Sequence, residues 1–296
     1  MIKALATLSR LPASRIAALD LRRRFRALEL WWFNHETNLF YDAKNRLIPQ
    51  PQILPGYCVH CLREQTQRGE PAHLRAEWTL AFLTHCPQHR DVLWSCCSDC
   101  RDVASLGWGL GRGQPPTRGC GRCALRPEIA FWEAPQPLST REERVLALET
   151  ALLTAVASEG GAQRVADPRW VGVVKPEDFV RLVGELMAML SWPDACGSTH
   201  LQQGSCGAHA YISRPLPLGS EAFGRLRRQE RFELLDGVVK LLGTGPREED
   251  QPRGDPNPFC CVYGPMSASG RRQFLERLQS WPERVRVKAL AAAACF

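Results

Sequence analysis

Eight cysteine and histidine residues stand in four pairs, with two residues between the members of each pair. In chain order the candidates are Cys58, Cys61, Cys86, His89, Cys97, Cys100, Cys120 and Cys123. Thiolates and imidazoles at this spacing wrap one tetrahedral ion, and two pairs complete its four-ligand shell. Such a shell leaves no position for water or substrate. The sequence therefore predicts two structural Zn²⁺ ions, one held by three cysteines and a histidine and one by four cysteines, rather than a zinc hydrolase.

The choice of ligands within the pairs leaves some alternatives. His60 or His85 can replace a neighbour in the first set, and Cys96 competes with Cys97 in the second. Spacing favours Cys97, because it repeats the two-residue gap. An iron–sulfur cluster is less favoured, because such clusters take mostly thiolates and the first set contains a histidine. The remaining alternative is seven buried free thiols.

Other catalytic or metal-binding patterns are weaker. A further Cys/His pattern follows later in the chain, formed by Cys196, His200, Cys206 and His209. Its middle connection is much shorter than the roughly 12 residues usual in fingers, so a glycine- and serine-rich loop is the favoured interpretation. The glycine-rich stretch 106–116 lacks the Lys-Ser/Thr of a phosphate loop and is interpreted as the knuckle of the second finger. With no nucleophile elbow and no cluster of spaced carboxylates, the sequence predicts that the protein is not an enzyme.

Composition is that of a water-soluble protein with a basic excess. The 296 residues carry a formal charge of +7, and arginine supplies most of the cations. No apolar run reaches the roughly 18 residues of a membrane span, and the first residues lack the pattern of a signal peptide. These features predict a cytoplasmic protein, in which the 13 cysteines serve as ligands and free thiols rather than disulfides.

The first 50 residues concentrate this charge. They hold nine basic and four acidic residues, a net charge of +5, and the candidate DNA contacts are Arg22, Arg23, Arg24 and Arg26. Arginine suits phosphate, and aromatic residues follow soon after. The alternative is a solvated arginine face beside an aromatic core cluster.

The pattern predicts three regions. Residues 1–55 form a basic helical lead-in that ends at the breaks around 49–51 and 55–56, residues 56–134 hold both metal sites, and residues 138–296 form a helical domain with a flexible loop near 245–258. The predicted fold class is mainly α with two small zinc-finger modules.

Helix signals are clearest in the last region. Ser139 facing Glu142, or Thr140 facing Glu143, forms a capping box. Pro176 stands where a first helical residue belongs. Apolar residues at helical spacing follow each start, and further helices are predicted from Ser220 to about 239 and from about 269 to 281.

The region from Gly56 to Cys123 resembles the TniQ family of transposition proteins, which includes the TnsD target selectors. The resembling segments are Tyr57-Cys58-Val59-His60-Cys61-Leu62, Arg75-Ala76-Glu77-Trp78-Thr79-Leu80-Ala81-Phe82, Thr84-His85-Cys86-Pro87-Gln88-His89, and the Cys97/Cys100 pair after Leu93. Residues 11–19, 228–242 and 280–284 resemble helical segments of that family more loosely. Family members usually begin with a helical segment that contains Ser-Trp-Leu-x-Arg. This chain starts after it, so the surface that meets partners is expected to be incomplete through truncation or a mis-assigned start.

The resemblance implies an adaptor in DNA transposition. TniQ-like proteins link target DNA, or a target recogniser, to an AAA+ ATPase that recruits the transposase. DNA, the ATPase and the transposase are therefore the expected partners, no membrane is involved, and a homodimer is left open. Two alternatives remain: a protein-interaction scaffold without direct DNA contact, and a zinc-containing DNA-binding regulator, although no helix-turn-helix with a reading face is evident.

Overall fold

The computed structural model describes 28, 32–33, 35–41, 47–53, 56–70, 73–94, 106–109, 117–120, 137–157, 175–190, 223–226, 228–243, 259, 263 and 266–294. This part of the chain is mainly helical, as the sequence predicts. Its α-helices are α1 Val59–Gln67, α2 Thr140–Ala157, α3 Pro176–Leu190, α4 Arg228–Leu242, α5 Ala268–Leu278 and α6 Glu283–Ala293. Two short 3₁₀ helices cover Ala76–Thr79 and Phe223–Arg225. No helix in these ranges has the length and apolar character needed to cross a membrane.

The described strands form two antiparallel hairpins. In the first, β1 His35–Tyr41 pairs with β2 Leu47–Ile53, and in the second, β3 Leu106–Gly109 pairs with β4 Thr117–Cys120. The helical interpretation of residues 1–55 is therefore wrong over 35–41 and 47–53. The break expected near residue 50 is also wrong, because Pro49 and Pro51 lie inside β2. Proline is compatible with an edge strand, because every second residue of such a strand points its backbone N–H away from the partner strand. A proline at one of these positions therefore loses no hydrogen bond between the strands.

Helix starts follow the capping chemistry expected from the sequence. The backbone N–H and the hydroxyl of Ser139 donate to Oε2 of Glu142 at 2.8 and 2.7 Å, and the N–H of Glu142 donates back to Oγ of Ser139 at 3.3 Å. Of the two predicted capping boxes, the one that begins at Ser139 is thus formed. Pro176 is the first residue of α3, where its missing N–H costs no hydrogen bond. The helix predicted from Ser220 begins as α4 at Arg228, and Ser220 itself lies outside the described residues.

The chain separates into two compact units. One gathers Met1–Leu30, Thr150–Leu216 and Gly237–Phe296, and the other gathers Trp31–Glu149 and Pro217–Asp236. The domain boundaries predicted from the sequence at 55 and 134–138 remain predictions.

The unit that contains Glu149 encloses the first Cys/His set. Its described core is built on large apolar side chains that are almost fully buried, among them Tyr57, Trp78, Phe82, Leu62 and Leu80. Trp32 packs edge-on against Phe82 and against Phe223, with ring centroids 5.7 and 6.2 Å apart. This packing surrounds the metal-binding segment with ordered apolar groups.

The other unit has its own aromatic cluster near the C-terminus. Phe274 of α5 packs against Phe259, Tyr263 and Trp281 at centroid distances of 6.4, 5.4 and 5.8 Å. The indole N–H of Trp281 donates to Glu185 of α3. The inward positions predicted in α2, α3 and α5 from helical spacing are buried, as expected.

Candidate metal centre

The Cys58/Cys61 pair stands at the N-terminus of α1. Cys58 takes the N-cap position with extended backbone angles, and its side chain makes no capping hydrogen bond. Cys61 follows in the first turn, and the N–H of Leu62 donates to the carbonyl of Cys58 at 3.2 Å. A helix N-terminus favours nearby negative charge, so this placement suits thiolates that ligate a cation.

The Cys86/His89 pair lies in a tight turn. The N–H of Cys86 donates to the carbonyl of Asp91 and the N–H of Arg90 donates to the carbonyl of Cys86, both at 2.7 Å. Arg90 closes the turn in the left-handed region with φ 56°, a conformation costly for a residue with a side chain. The turn brings the thiol of Cys86 and the imidazole of His89 to the same side.

The two pairs meet as one cluster. The ligand atoms of Cys58, Cys61, Cys86 and His89 all lie within 4.8 Å of one another. Nδ1 of His89 is 3.5, 3.3 and 3.7 Å from the sulfurs of Cys58, Cys61 and Cys86, and the sulfurs of Cys61 and Cys86 are 3.6 Å apart. The three cysteines are buried and the histidine is half-buried.

These spacings match the edges of a tetrahedron around one ion. Zinc bonds of about 2.3 Å to sulfur and about 2.0–2.1 Å to nitrogen set edges of about 3.8 Å between sulfurs and about 3.6 Å between sulfur and nitrogen. The sulfurs of Cys61 and Cys86 are also too far apart for a disulfide, whose bond is about 2.05 Å, and all three cysteines are free. The donor set therefore fits a single tetrahedral cation that prefers sulfur and nitrogen, as Zn²⁺ does.

The electrostatics of the thiols also favour a cation. Hydrogen bonds from Cys58 and Cys61 lower the pKa of Cys86 far below its usual range. Hydrogen bonds to Cys58 and Cys86 raise the pKa of Cys61 strongly. For Cys58, the hydrogen bond with Cys61 alone would lower the pKa, but the bond to Cys86 and burial outweigh it and raise the pKa to about 12. The three adjoining thiols thus oppose one another's ionisation, and a bound divalent ion would allow all three to be thiolates.

Two other histidines were open alternatives, and the structure places both outside the cluster. His60 turns its Nε2 to the carboxylate of Asp91 at 3.3 Å and packs beside His89 with ring centroids 5.4 Å apart. His85 is buried, with its Nδ1 2.9 Å from the hydroxyl of Thr84. His89 is therefore the histidine that completes the first set.

Glu64 contacts the Cys/His cluster and was not predicted from the sequence. Its Oε1 lies 2.8 Å from Nε2 of His89, and its Oε2 accepts from Nε2 of Gln88 at 2.8 Å. The hydrogen bond from His89 lowers the pKa of Glu64. Burial alone would lower the pKa of His89, but hydrogen bonds to Glu64 and Cys86 outweigh it and raise that pKa. A signal was present in the sequence, since Glu64 follows Cys61 by one helical turn and so lies on the same face of α1.

Glu149 of α2 is a second missed residue. This fully buried carboxylate accepts hydrogen bonds from the backbone N–H of Thr84 at 2.9 Å, from that of His85 at 3.2 Å, and from the Thr84 hydroxyl. Nearby, Arg231 of α4 donates to the carbonyl of Ala81 at 3.0 Å. Burial lowers the pKa of Arg231 to about 10, and the charge of Glu149 opposes this shift. Helices α2 and α4 thus hold the segment that leads directly into Cys86.

The other predicted site residues are not placed by the structure. Cys97, Cys100 and Cys123 lie outside the described residues, and Cys120 ends β4 without a described side chain. Three further sets also lie outside the described residues: Arg22, Arg23, Arg24 and Arg26; the Cys196, His200, Cys206 and His209 pattern; and the loop near 245–258. The four-cysteine site and the DNA contacts therefore remain predictions.

No protein-family model, curated protein or solved structure matches this chain. The likeness to TniQ proteins accordingly rests on the motifs quoted above.

Proposed function

We propose that this protein is a TniQ-like zinc-binding adaptor in DNA transposition, which links target DNA or a target recogniser to an AAA+ ATPase and transposase. The observation that supports it best is the cluster of Cys58, Cys61, Cys86 and His89 with tetrahedral spacing, in a segment that carries the motif likeness. A second Zn²⁺ is assigned to Cys97, Cys100, Cys120 and Cys123 on their spacing alone.

In this proposal, zinc at the first site serves folding rather than catalysis. Cys58, Cys61, Cys86 and His89 supply four protein ligands, and a shell of that kind leaves no open position for substrate. The three thiol ligands are almost fully buried, so access from solvent is slight. A structural zinc contributes on the order of 10 kcal/mol to such small modules.

The surface of the first finger is balanced in charge. Residues 56–70 and 73–94 carry four basic residues, Arg63, Arg68, Arg75 and Arg90. They also carry four acidic residues, Glu64, Glu70, Glu77 and Asp91. Several of these cations contact protein groups, such as Arg68 with Glu70 at 3.0 Å and Arg90 with Glu143 at 2.7 Å.

This balance argues against the first finger as a phosphate-binding face, because phosphate contacts require a basic patch. We therefore assign any direct DNA contact to Arg22, Arg23, Arg24 and Arg26. The same observation favours the second candidate function, a protein-interaction scaffold that leaves DNA recognition to a partner.

Metal analysis tests the zinc assignment. Elemental analysis of the purified full chain is expected to give two zinc ions per chain, and Cys58→Ser is expected to yield insoluble protein. Cys295→Ser, which removes a thiol outside both sets, is the matched control and is expected to behave as wild type. A soluble, well-folded Cys58→Ser protein with no metal at the first site, or wild type without metal, contradicts the assignment.

Salt dependence separates the two candidate functions. If the arginine lead-in contacts phosphates, DNA affinity falls steeply between about 50 and 200 mM salt. Replacing Arg22, Arg23, Arg24 and Arg26 by alanine is then expected to reduce the slope of log K against log salt by about 3–4, since each phosphate contact contributes about 0.9. Arg68→Ala is the control and leaves the slope unchanged. No measurable binding at low salt favours the scaffold.

Partner identity provides the test of the transposition role. An AAA+ ATPase and an integrase-like transposase encoded beside this gene are the expected neighbours. The tagged full chain is expected to bind that purified ATPase directly. Absence of such neighbours, or no binding to the ATPase in the presence of nucleotide and DNA, contradicts this role while leaving the metal site unaffected.

A further inference from the structure

Both ring nitrogens of His89 contact other side chains. Nδ1 faces the three sulfurs at 3.3–3.7 Å, and Nε2 lies 2.8 Å from Oε1 of Glu64. A neutral imidazole carries its proton on one nitrogen and a lone pair on the other. A carboxylate accepts hydrogen bonds only, so Nε2 must carry the proton and Nδ1 must present the lone pair to the cluster.

Glu64 is itself held in place. Its second oxygen, Oε2, accepts from Nε2 of Gln88 at 2.8 Å. Gln88 in turn accepts at Oε1 from a guanidinium N–H of Arg75 at 2.7 Å, and that guanidinium lies 5.8 Å from the ring centre of Trp78. Both carboxylate oxygens therefore have a defined partner, which fixes the plane of the carboxylate relative to the imidazole.

We propose that Glu64 is the positioning residue of the metal centre, which holds His89 as the Nδ1-ligating tautomer. The proposal rests on the zinc function proposed above. Glu64 acts through His89 and does not ligate the ion. Carboxylates that accept from the second nitrogen of a ligating histidine orient the ring and raise its basicity, and their loss commonly weakens metal binding about 10–100-fold.

Metal affinity of matched variants tests this role. The full-length protein is purified with zinc, and its zinc affinity is measured by competition with a chromophoric chelator. Glu64→Ala is expected to weaken zinc binding about 10–100-fold. Glu64→Gln is expected to recover most of that loss, because its amide oxygen still accepts from Nε2. Glu70→Ala is the matched control, since Glu70, like Glu64, pairs with Arg68 but lies outside the contacts of His89 described above, and it is expected to match wild type.

A measurement on the wild-type protein tests the tautomer without any variant. In ¹¹³Cd-loaded, ¹⁵N-labelled protein, the imidazole coupled to cadmium is expected to show the metal on Nδ1 and a proton on Nε2. Metal coupling through Nε2 overturns the proposal even if Glu64→Ala fails to fold. Equal zinc affinity of Glu64→Ala and wild type also overturns it. Wild-type protein that binds no metal refutes instead the zinc function on which it rests.

Discussion

Replacing Glu149 by alanine is expected to be strongly destabilising, although the residue is absent from the metal cluster. The substitution removes the acceptor of two buried backbone N–H groups, those of Thr84 and His85, and of the Thr84 hydroxyl. The hydroxyl has another partner in Nδ1 of His85 at 2.9 Å, but the two N–H groups are left without an acceptor. Each buried unsatisfied donor costs about 1–3 kcal/mol, so the expected loss is about 2–6 kcal/mol. That loss is a large part of the 5–15 kcal/mol by which domains are typically stable.

Urea unfolding of the zinc-loaded protein, followed by tryptophan fluorescence, measures this loss. Glu149→Gln keeps one acceptor oxygen and is expected to lose about half as much. Glu143→Ala is the matched control on the same helix, because its side chain is 52% exposed and pairs with the exposed Arg90. Its cost is expected to be about 0–1 kcal/mol. A Glu149→Ala protein within about 1 kcal/mol of wild type would refute the argument that this carboxylate fastens the segment before Cys86.

Three further predictions concern the caps, the turn and the other unit. Ser139→Ala is expected to cost about 1 kcal/mol. The hydrogen bonds from Ser139 lower the pKa of Glu142, so the part of this cost that comes from the bond between the Ser139 hydroxyl and the Glu142 carboxylate is full above the unfolded pKa near 4.3 and is lost as pH falls through the lower folded value. The part that comes from the bond of the Glu142 N–H to Oγ of Ser139 remains, and urea midpoints measured against pH separate the two. Arg90→Ile is expected to destabilise the protein by about 1–2 kcal/mol despite exposure, since its φ of 56° disfavours a β-branched residue, whereas Arg90→Gly is expected to be tolerated. Phe274→Ala is expected to cost about 3–5 kcal/mol in thermal unfolding, and its neighbour Leu275, 39% exposed, is expected to tolerate alanine; equal losses at both positions would contradict the packing described for α5.

Local signals in the sequence predict much of the described structure. The capping box at Ser139 and the proline at position 176 mark helix starts through contacts made within one turn of chain, so spacing alone predicts them. The first metal set is similar, because the two-residue gaps fix the geometry of Cys58 with Cys61 and of Cys86 with His89. The choice of His89 over His60 needed only the gap, and the structure confirms that His89 joins the cluster.

The features that the sequence did not predict depend on distant contacts or on weak local preferences. Glu149 contacts Thr84 across 65 residues of chain. A helical pattern does not distinguish a buried glutamate that accepts hydrogen bonds from a solvated one. The pairing of β1 with β2 was not predicted because Pro49 and Pro51 indicate a break in the chain, whereas an edge strand accepts them. Glu64 differs, since its position one turn after Cys61 can be seen in the sequence, but the spacing rules that identify metal ligands do not extend to carboxylates that contact a ligand.

The contact of Glu149 with Thr84 and His85 also bears on how the chain is made. Ribosomes add about 5–20 residues per second, so the 65 residues between Thr84 and Glu149 take about 3–13 s to synthesise. For most of that interval the residues of the turn that begins at Cys86 have been made, while the α2 residues that dock beside it have not. An ion bound in those seconds would order the segment around Cys86 before α2 packs against it.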